Sequence, residues 1–520
     1  MTKYVFSLVF AAASLAGCGS FGPVEAQKED IIASISVGGT GILYADARGG
    51  EALPWGPPGI FTAGHGLVMP DNVAKRLVLL DADGKARGSI STEGSAVGIV
   101  AVADDGDAIV ALDKGTTEPR LVWYGHDGRA FRTEQLSIDW SGVSGIARDD
   151  RGLIVEVRGG EQLLRVSHEG GALALTPTNG WVLGGQTLVV EPPAEIDARV
   201  RVVKLGDHRV EVATAHRIGR LEPVGSAPDG TVTLLVEDVV TTPVVMVEQS
   251  LWRIGVDGTV VGTATLPSDH AVAPPRHIAA VAPDGRPVAM SLGASEVELR
   301  APAFRVGAPV VDRSAVPAVP ASEAIGANEA PLVTAGSGCL YPWTMIANAT
   351  EYTSNATSIS AKSISNDLTC TGRWIPEYLS GSACYVSVPY DWGGFDKPTD
   401  FNSAMAAGKK AGNWNNVTSL SCSYGVDCSG FVSRVWGLSS KQSTSTLPSY
   451  ALAKCPKLTA GDALNKAGEH VVLFDSNTTN GVNVYESTHY QNYDRVVYDY
   501  RPWSTLSGYV GLRAKSNCIP

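Results

Sequence analysis

No cysteine stands between Cys18 and Cys339. Whatever fills that span holds together by burying apolar surface, without covalent staples. The chain also has no run of Lys or Arg: 41 basic residues face 53 acidic ones, for a net charge of -12. That balance excludes nucleic acid and anionic membrane surfaces as electrostatic partners. Long hydrophobic runs are missing outside residues 4–13, a stretch too short to span a bilayer. No Cys-x-x-Cys pair or matching His spacing builds a zinc site, so neither a metal nor an organic cofactor is expected. Aromatic residues make up only 7% of the chain, whereas 57 Gly and 30 Pro announce many turns. A length of 520 residues is ample for about three domains.

The first residues read as a targeting segment: Lys3 is the positive end and residues 4–13 the apolar core. Leu15-Ala16-Gly17-Cys18 resembles a bacterial lipobox. The resemblance implies a signal peptide over 1–17, lipidation of Cys18 and a tether over 18–30. Gly19 resembles the sorting pattern of outer-membrane lipoproteins. The expected location is therefore the outer membrane facing the periplasm, with membrane contact only through the lipid.

Residues 31–305 carry a repeat. Apolar runs ending in tight turns begin at 76, 120, 162, 200 and 250, spaced 38 to 50 residues apart. Examples are Arg76-Leu77-Val78-Leu79-Leu80 before Asp83-Gly84 and Arg120-Leu121-Val122-Trp123-Tyr124 before Asp127-Gly128. A second set of Asp-Gly turns falls between them, at Asp105-Gly106, Asp229-Gly230 and Asp284-Gly285. Asp-Gly suits the positive φ of two-residue hairpin loops, and two hairpins per forty-residue unit make a four-stranded propeller blade. The span predicts an all-β propeller of about six or seven blades, with a protein or a glycan as its possible ligand. Its histidines share no repeat position, which speaks against a metal ring.

Residues 306–337 are rich in Ala, Pro and Val and read as an extended linker. From 338 the Asp-Gly rhythm stops, and seven cysteines fall in the remainder. Asp427-Cys428-Ser429-Gly430 followed by Phe431, Val432, Val435 and Trp436 predicts a helix capped by Asp427. Cys428 would lie in its first turn, where the helix dipole favours thiolate. Setting Cys428 aside leaves Cys339, Cys370, Cys384, Cys422, Cys455 and Cys518, an even set that predicts three disulfides in an oxidising compartment, with 15 possible pairings.

Two further stretches flank this helix: Tyr390-Asp391-Trp392-Gly393-Gly394 upstream, and Gly461-Asp462 with Gly468-Glu469-His470-Val471-Val472 downstream. The three motifs in this order resemble the NlpC-type cell-wall cysteine peptidases, a papain-like family. The resemblance covers residues 338–520 and implies an α+β papain-like domain behind the propeller. It implies Cys428 as nucleophile, His470 as base, and Tyr390 beside the developing oxyanion. Asp427 and Ser429 would line the substrate subsite, with Trp392 a packing residue next to them. A third residue must hold the imidazole. A hairpin turning near Thr478 puts Glu486 opposite His470, where the family usually has His, Asn or Gln. His489, three residues on, is the competitor and points to the other face.

The function implied is thiol hydrolysis of peptidoglycan stem peptides, at the bond between γ-D-glutamate and a diamino acid. A muramoyl-L-alanine amidase or an acyltransferase could use the same residues. A binding lipoprotein whose propeller carries the function, with the peptidase domain regulated or inactive, is the alternative of another class.

Overall fold

The computed structural model describes residues 30–45, 54–309, 311 and 339–517, except 65, 126, 170, 242–243, 310, 416 and 453–456. The signal peptide, Cys18, Cys455, Cys518 and most of the linker lie outside the described residues.

Six antiparallel sheets follow one another along the first part of the chain. Their first strands are Phe61–Ala63, Ile99–Asp104, Val143–Asp149, Trp181–Leu183, Arg217–Ser226 and Ala279–Val281. These strands lie against one another around an axis, and each sheet steps outward from it. The architecture is a six-bladed β-propeller. The five runs read from the sequence are the third strands of blades one to five, such as Arg76–Leu80, Arg120–Tyr124 and Gln162–Glu169. Five of the blades have four strands; blade five gains a fifth at its rim, Arg305–Val306.

The Asp-Gly turns do form hairpins, but their loops are longer than the two residues expected: Gly285 donates to the carbonyl of Ala282 and Ala282 to that of Arg286, and the glycine, not the aspartate, takes the positive φ. Gly106 and Gly285 adopt φ of 79° and 86°, where a β-carbon is disfavoured. At several of the turns the aspartate accepts from the amide two residues on, as Asp229 does from Thr231 at 2.9 Å and Asp257 from Thr259 at 3.0 Å. The sixth blade is completed from the other end of the chain: Asp30–Ser36 pairs with Glu296–Ala301 as its outermost strand. That closure joins the first and last blades and needs no disulfide.

The C-terminal region is built on a six-stranded antiparallel sheet. Its order is Ala451–Leu452, Val510–Ala514, Ala463–Lys466, His470–Thr478, Gly481–Thr488 and Arg495–Arg501. The helices Pro342–Thr353 and Cys428–Val435 cover one face, burying Met345, Tyr352, Phe431 and Val432 with Val471 and Leu473 of the sheet. A further helix runs over Pro398–Ala406. Among the described residues, no helix is long and apolar enough to cross a membrane.

The sheet's other face is seated on the propeller. Val472, Phe474, Val482, Val484 and Trp503 share a core with Val239 and Val245 of blade five. Tyr490, Tyr493 and Val497 enter the core of blades one to three. Polar contacts reach every blade. Gln491 bonds to Asn72 of blade one, Asp499 to Lys114 of blade two at 2.8 Å, and Asn480 to Gly159 of blade three. Asn480 Oδ1 also accepts from Arg201 of blade four at 2.8 Å and from the amide of Leu221 in blade five at 3.1 Å. Arg276, leading into blade six, pairs with Asp499.

One disulfide, Cys370–Cys422, joins two loops of this region, and Cys339 is also disulfide-bonded. The expected set of three does not hold, because Cys384 is an exposed thiol. It sits on the strand Ala383–Val386 with its side chain in solvent.

Candidate active site

Asp427 precedes the helix Cys428–Val435 with extended backbone, and its Oδ1 accepts from the amide of Gly430 at 2.7 Å. Oδ2 accepts from Gly393 at 2.9 Å and pairs with Lys441 at 3.0 Å. The first two motifs of the sequence are thus joined through one carboxylate. Asp427 and Ser429 are buried, and Ser429 Oγ donates to Asp427. What the structure shows them doing is capping and bracing the helix. Tyr390 lies beside the same loop, bridged to Val426 and held by the backbone of Asp494 and Asn413. Trp392 is half-buried, its amide donating to Asn413.

Cys428 opens the helix as a thiol, 0% exposed. The helix rests on the strands His470–Thr478 and Gly481–Thr488, and Ser487 Oγ donates to the carbonyl of Val426 at 2.6 Å.

His470 Nε2 and Glu486 Oε2 are 2.9 Å apart, and Glu486 is wholly buried. Its other oxygen accepts from Arg501 Nε at 2.7 Å. Burial pushes the Glu486 carboxyl up, but the Arg501 charge and the bond to His470 outweigh it and hold the group below its ordinary value. The result is a line of alternating charge, Arg501–Glu486–His470. Nε2 faces the carboxylate, which leaves Nδ1 for proton transfer. Tyr509, in the seam with the propeller, lies within electrostatic reach of Glu486, Arg501 and Cys428. The carboxylate of Glu486 holds the Nε2 side of the imidazole.

The partner expected for His470 is the one found, but the register is not. Asp475 forms a bulge between Phe474 and Ser476, and Leu473 pairs with Tyr485. Continuing that register sets His470 level with Thr488, and Glu486 is reached along the diagonal of the same face. His489 is not at the site. Its Nδ1 bonds to Asp494, and its ring stacks on Trp414 at 4.4 Å.

Arg501 was not picked out from the sequence. The signal is the strand Arg495-Val-Val-Tyr-Asp-Tyr-Arg501, which carries charges at 495, 499 and 501 and is almost wholly buried. Asp499 is held ionised there. Burial raises its carboxyl, and Arg276, Lys114 and Arg501 together bring it well below the usual range. Among the described residues, no cluster of His, Cys, Asp and Glu could hold a metal ion.

No family model matches the chain, and no curated protein matches it. Solved structures do align with about half of the chain. A hydrazine synthase from Kuenenia stuttgartiensis is 14% identical, with 48% of this chain and 78% of that one covered and a TM-score of 0.30. A member of the DUF4221 family from Bacteroides vulgatus is 8% identical, covering 54% of this chain and 99% of the other, at 0.31. BamB from Moraxella catarrhalis is 14% identical, covering 52% and 100%, at 0.25. Scores this low carry no argument of their own; the propeller rests on its six sheets and their closure.

Proposed function

We propose that the C-terminal domain is a thiol hydrolase for peptide bonds in peptidoglycan stems, carried on a lipid-anchored envelope propeller. The observation that supports this reading is the buried Arg501–Glu486–His470 line, on the sheet that packs against the Asp427-capped helix opened by Cys428. A carboxylate held ionised beside an imidazole favours its cationic form, which suits a thiolate–imidazolium pair. The thiolate of Cys428 attacks the scissile carbonyl. The backbone amide of Cys428 and the hydroxyl of Tyr390 stabilise the oxyanion, and His470 passes its proton to the leaving amine. Water, deprotonated by the same ring, then releases the acyl group and restores the thiol. The bond between γ-D-glutamate and a diamino acid is the substrate this reading favours.

The test is digestion of purified sacculi by the full chain, with the new termini identified by mass spectrometry. Stem-peptide termini that Cys428→Ala abolishes are the expected result. Termini at the muramoyl–alanine bond make it an amidase instead. An intact sacculus after treatment with the folded wild-type chain overturns the hydrolase reading. The complete burial of Cys428 favours a second reading, in which this is a resting state and the domain is regulated. In that case a thiol-reactive probe labels exposed Cys384 quickly and Cys428 only on opening.

A further inference from the structure

We propose that the propeller's axial cup is a binding site for a small molecule carrying a protonated amine, with Glu156 as its counter-charge. This goes beyond the hydrolase reading and concerns the opposite side of the disc. The innermost strands begin at the seated face, where the carbonyls of Val97 and Ile99 accept from Asn492 and Asn72. They run to Asp104, Asp149 and Ser226 on the far face. Between them lies a cavity of about 430 Å³, with Asp104, Arg148 and Asp150 among its lining and Glu156, Glu222 and His277 deeper along it. The C-terminal domain seals the near end, so the channel is a cup and not a pore. Its volume falls in the range of small-ligand sites.

The charges in the cup do not balance. Arg220 serves two carboxylates, bonding to Glu222 and lying 3.8 Å from Glu237. Arg276 is committed to Asp499. At the rim, Arg148 bonds to Asp104 and Arg165 to Asp149. Glu156 has no cation of its own. Its near donor is the indole of Trp181, whose N–H makes no well-formed hydrogen bond. Burial, and then the charge of Glu222, push the Glu156 carboxyl up to about 8. Around it stand Glu222 and Arg220 from the strand Arg217–Ser226, His277 from the segment before Ala279, and Tyr500 from the seated domain. Burial, with the nearby Arg220 and Arg276, keeps His277 neutral; a neutral imidazole can accept from an ammonium.

The cup is also kept open by a missing side chain. A β-carbon on Gly145 would stand 2.7 Å from Glu156 Oε2 and 3.8 Å from His277 Cε1. An ammonium between these two groups gains a charge-assisted bond and offsets the cost of burying the carboxylate.

The test uses the full chain and 1,5-diaminopentane, with 1,5-pentanediol as the neutral control, by calorimetry in two buffers of different ionisation enthalpy. Binding requires ionised Glu156, so a proton is released on binding at pH 7. Affinity rises about fiftyfold from pH 6 to pH 8, the change in ionised fraction for a pKa near 8. Glu156→Gln removes the proton release and weakens binding at least tenfold. Gly145→Val, which keeps every charge, blocks binding by filling the cup. Far-ultraviolet circular dichroism confirms that each variant is folded. The proposal is overturned by equal binding of the diol, by affinity unchanged in Glu156→Gln, or by no binding of the diamine at 10 mM.

Discussion

Glu486 divides its two oxygens between Arg501 and His470, and its replacement separates the roles of charge and hydrogen bond. Glu486→Gln retains an acceptor for the ring but removes the charge that favours imidazolium. The expected outcome is a loss of turnover on the order of a hundredfold, read from the rate of digestion of sacculi. His489→Ala is expected to cost far less, since that ring belongs to Asp494 and Trp414. Acid stability offers a second readout. A carboxyl held below its ordinary value contributes stability that is present above the unfolded value, near 4.5, and lost as pH falls through the folded one. The variant's melting temperature should therefore fall less than wild type's on acidification below pH 4.5. Strand alternation was enough to choose Glu486 over His489 from sequence. The register was missed because the turn was set near Thr478 and lies at Thr479–Asn480; the bulge at Asp475, which no local residue pattern marks, moves the pairing back by one residue. Cysteine parity misled for a related reason: counting thiols says nothing of Cys384, whose side chain simply faces solvent.

At the scale of elements, the helix Cys428–Val435 hangs on its cap. Asp427→Ala removes the acceptor for Gly430 and the brace to Gly393 and Lys441. A loss of about 1–2 kcal/mol is expected for the cap, measured by denaturant unfolding, with Asp427→Asn losing less because its amide oxygen still caps. Both motifs were visible in the sequence; that one carboxylate ties them was not, since Gly393 contributes only a backbone amide. The blades were legible through third strands and Asp-Gly turns. The innermost strands escaped notice where they are short, as at Trp181–Leu183 and Ala279–Val281. Three residues offer no period to read.

Across the whole molecule, the two domains are joined by buried charge as well as apolar surface. Lys114 and Arg276 both converge on Asp499 and are themselves buried. Asp499→Asn leaves two cations without their counter-charge, an expected cost of about 3–5 kcal/mol. Lys114→Met leaves Asp499 paired with Arg276 and should cost less. Equilibrium unfolding of the two variants checks the order. The sequence suggested a propeller able to stand alone over 31–305. The seated domain changes that expectation: the propeller expressed alone exposes apolar residues that now cover Tyr490, Tyr493 and Val497. It should form β-structure but melt below the full chain, by scanning calorimetry. None of this was readable in advance, because Lys114 and Asp499 lie 385 residues apart and neither has a local signature of its partner.

The closing strand sets a schedule. Asp30–Ser36 is made before any blade, yet its partner Glu296–Ala301 is among the last parts of the disc to be synthesised. At ordinary rates of chain growth the gap is on the order of ten to sixty seconds. For that interval an Ile-rich segment has every backbone donor and acceptor unpaired, and the ring behind it is an open spiral with a bare edge. Such an edge can recruit a strand from another chain. A chain cut short before residue 296 can never complete its circle.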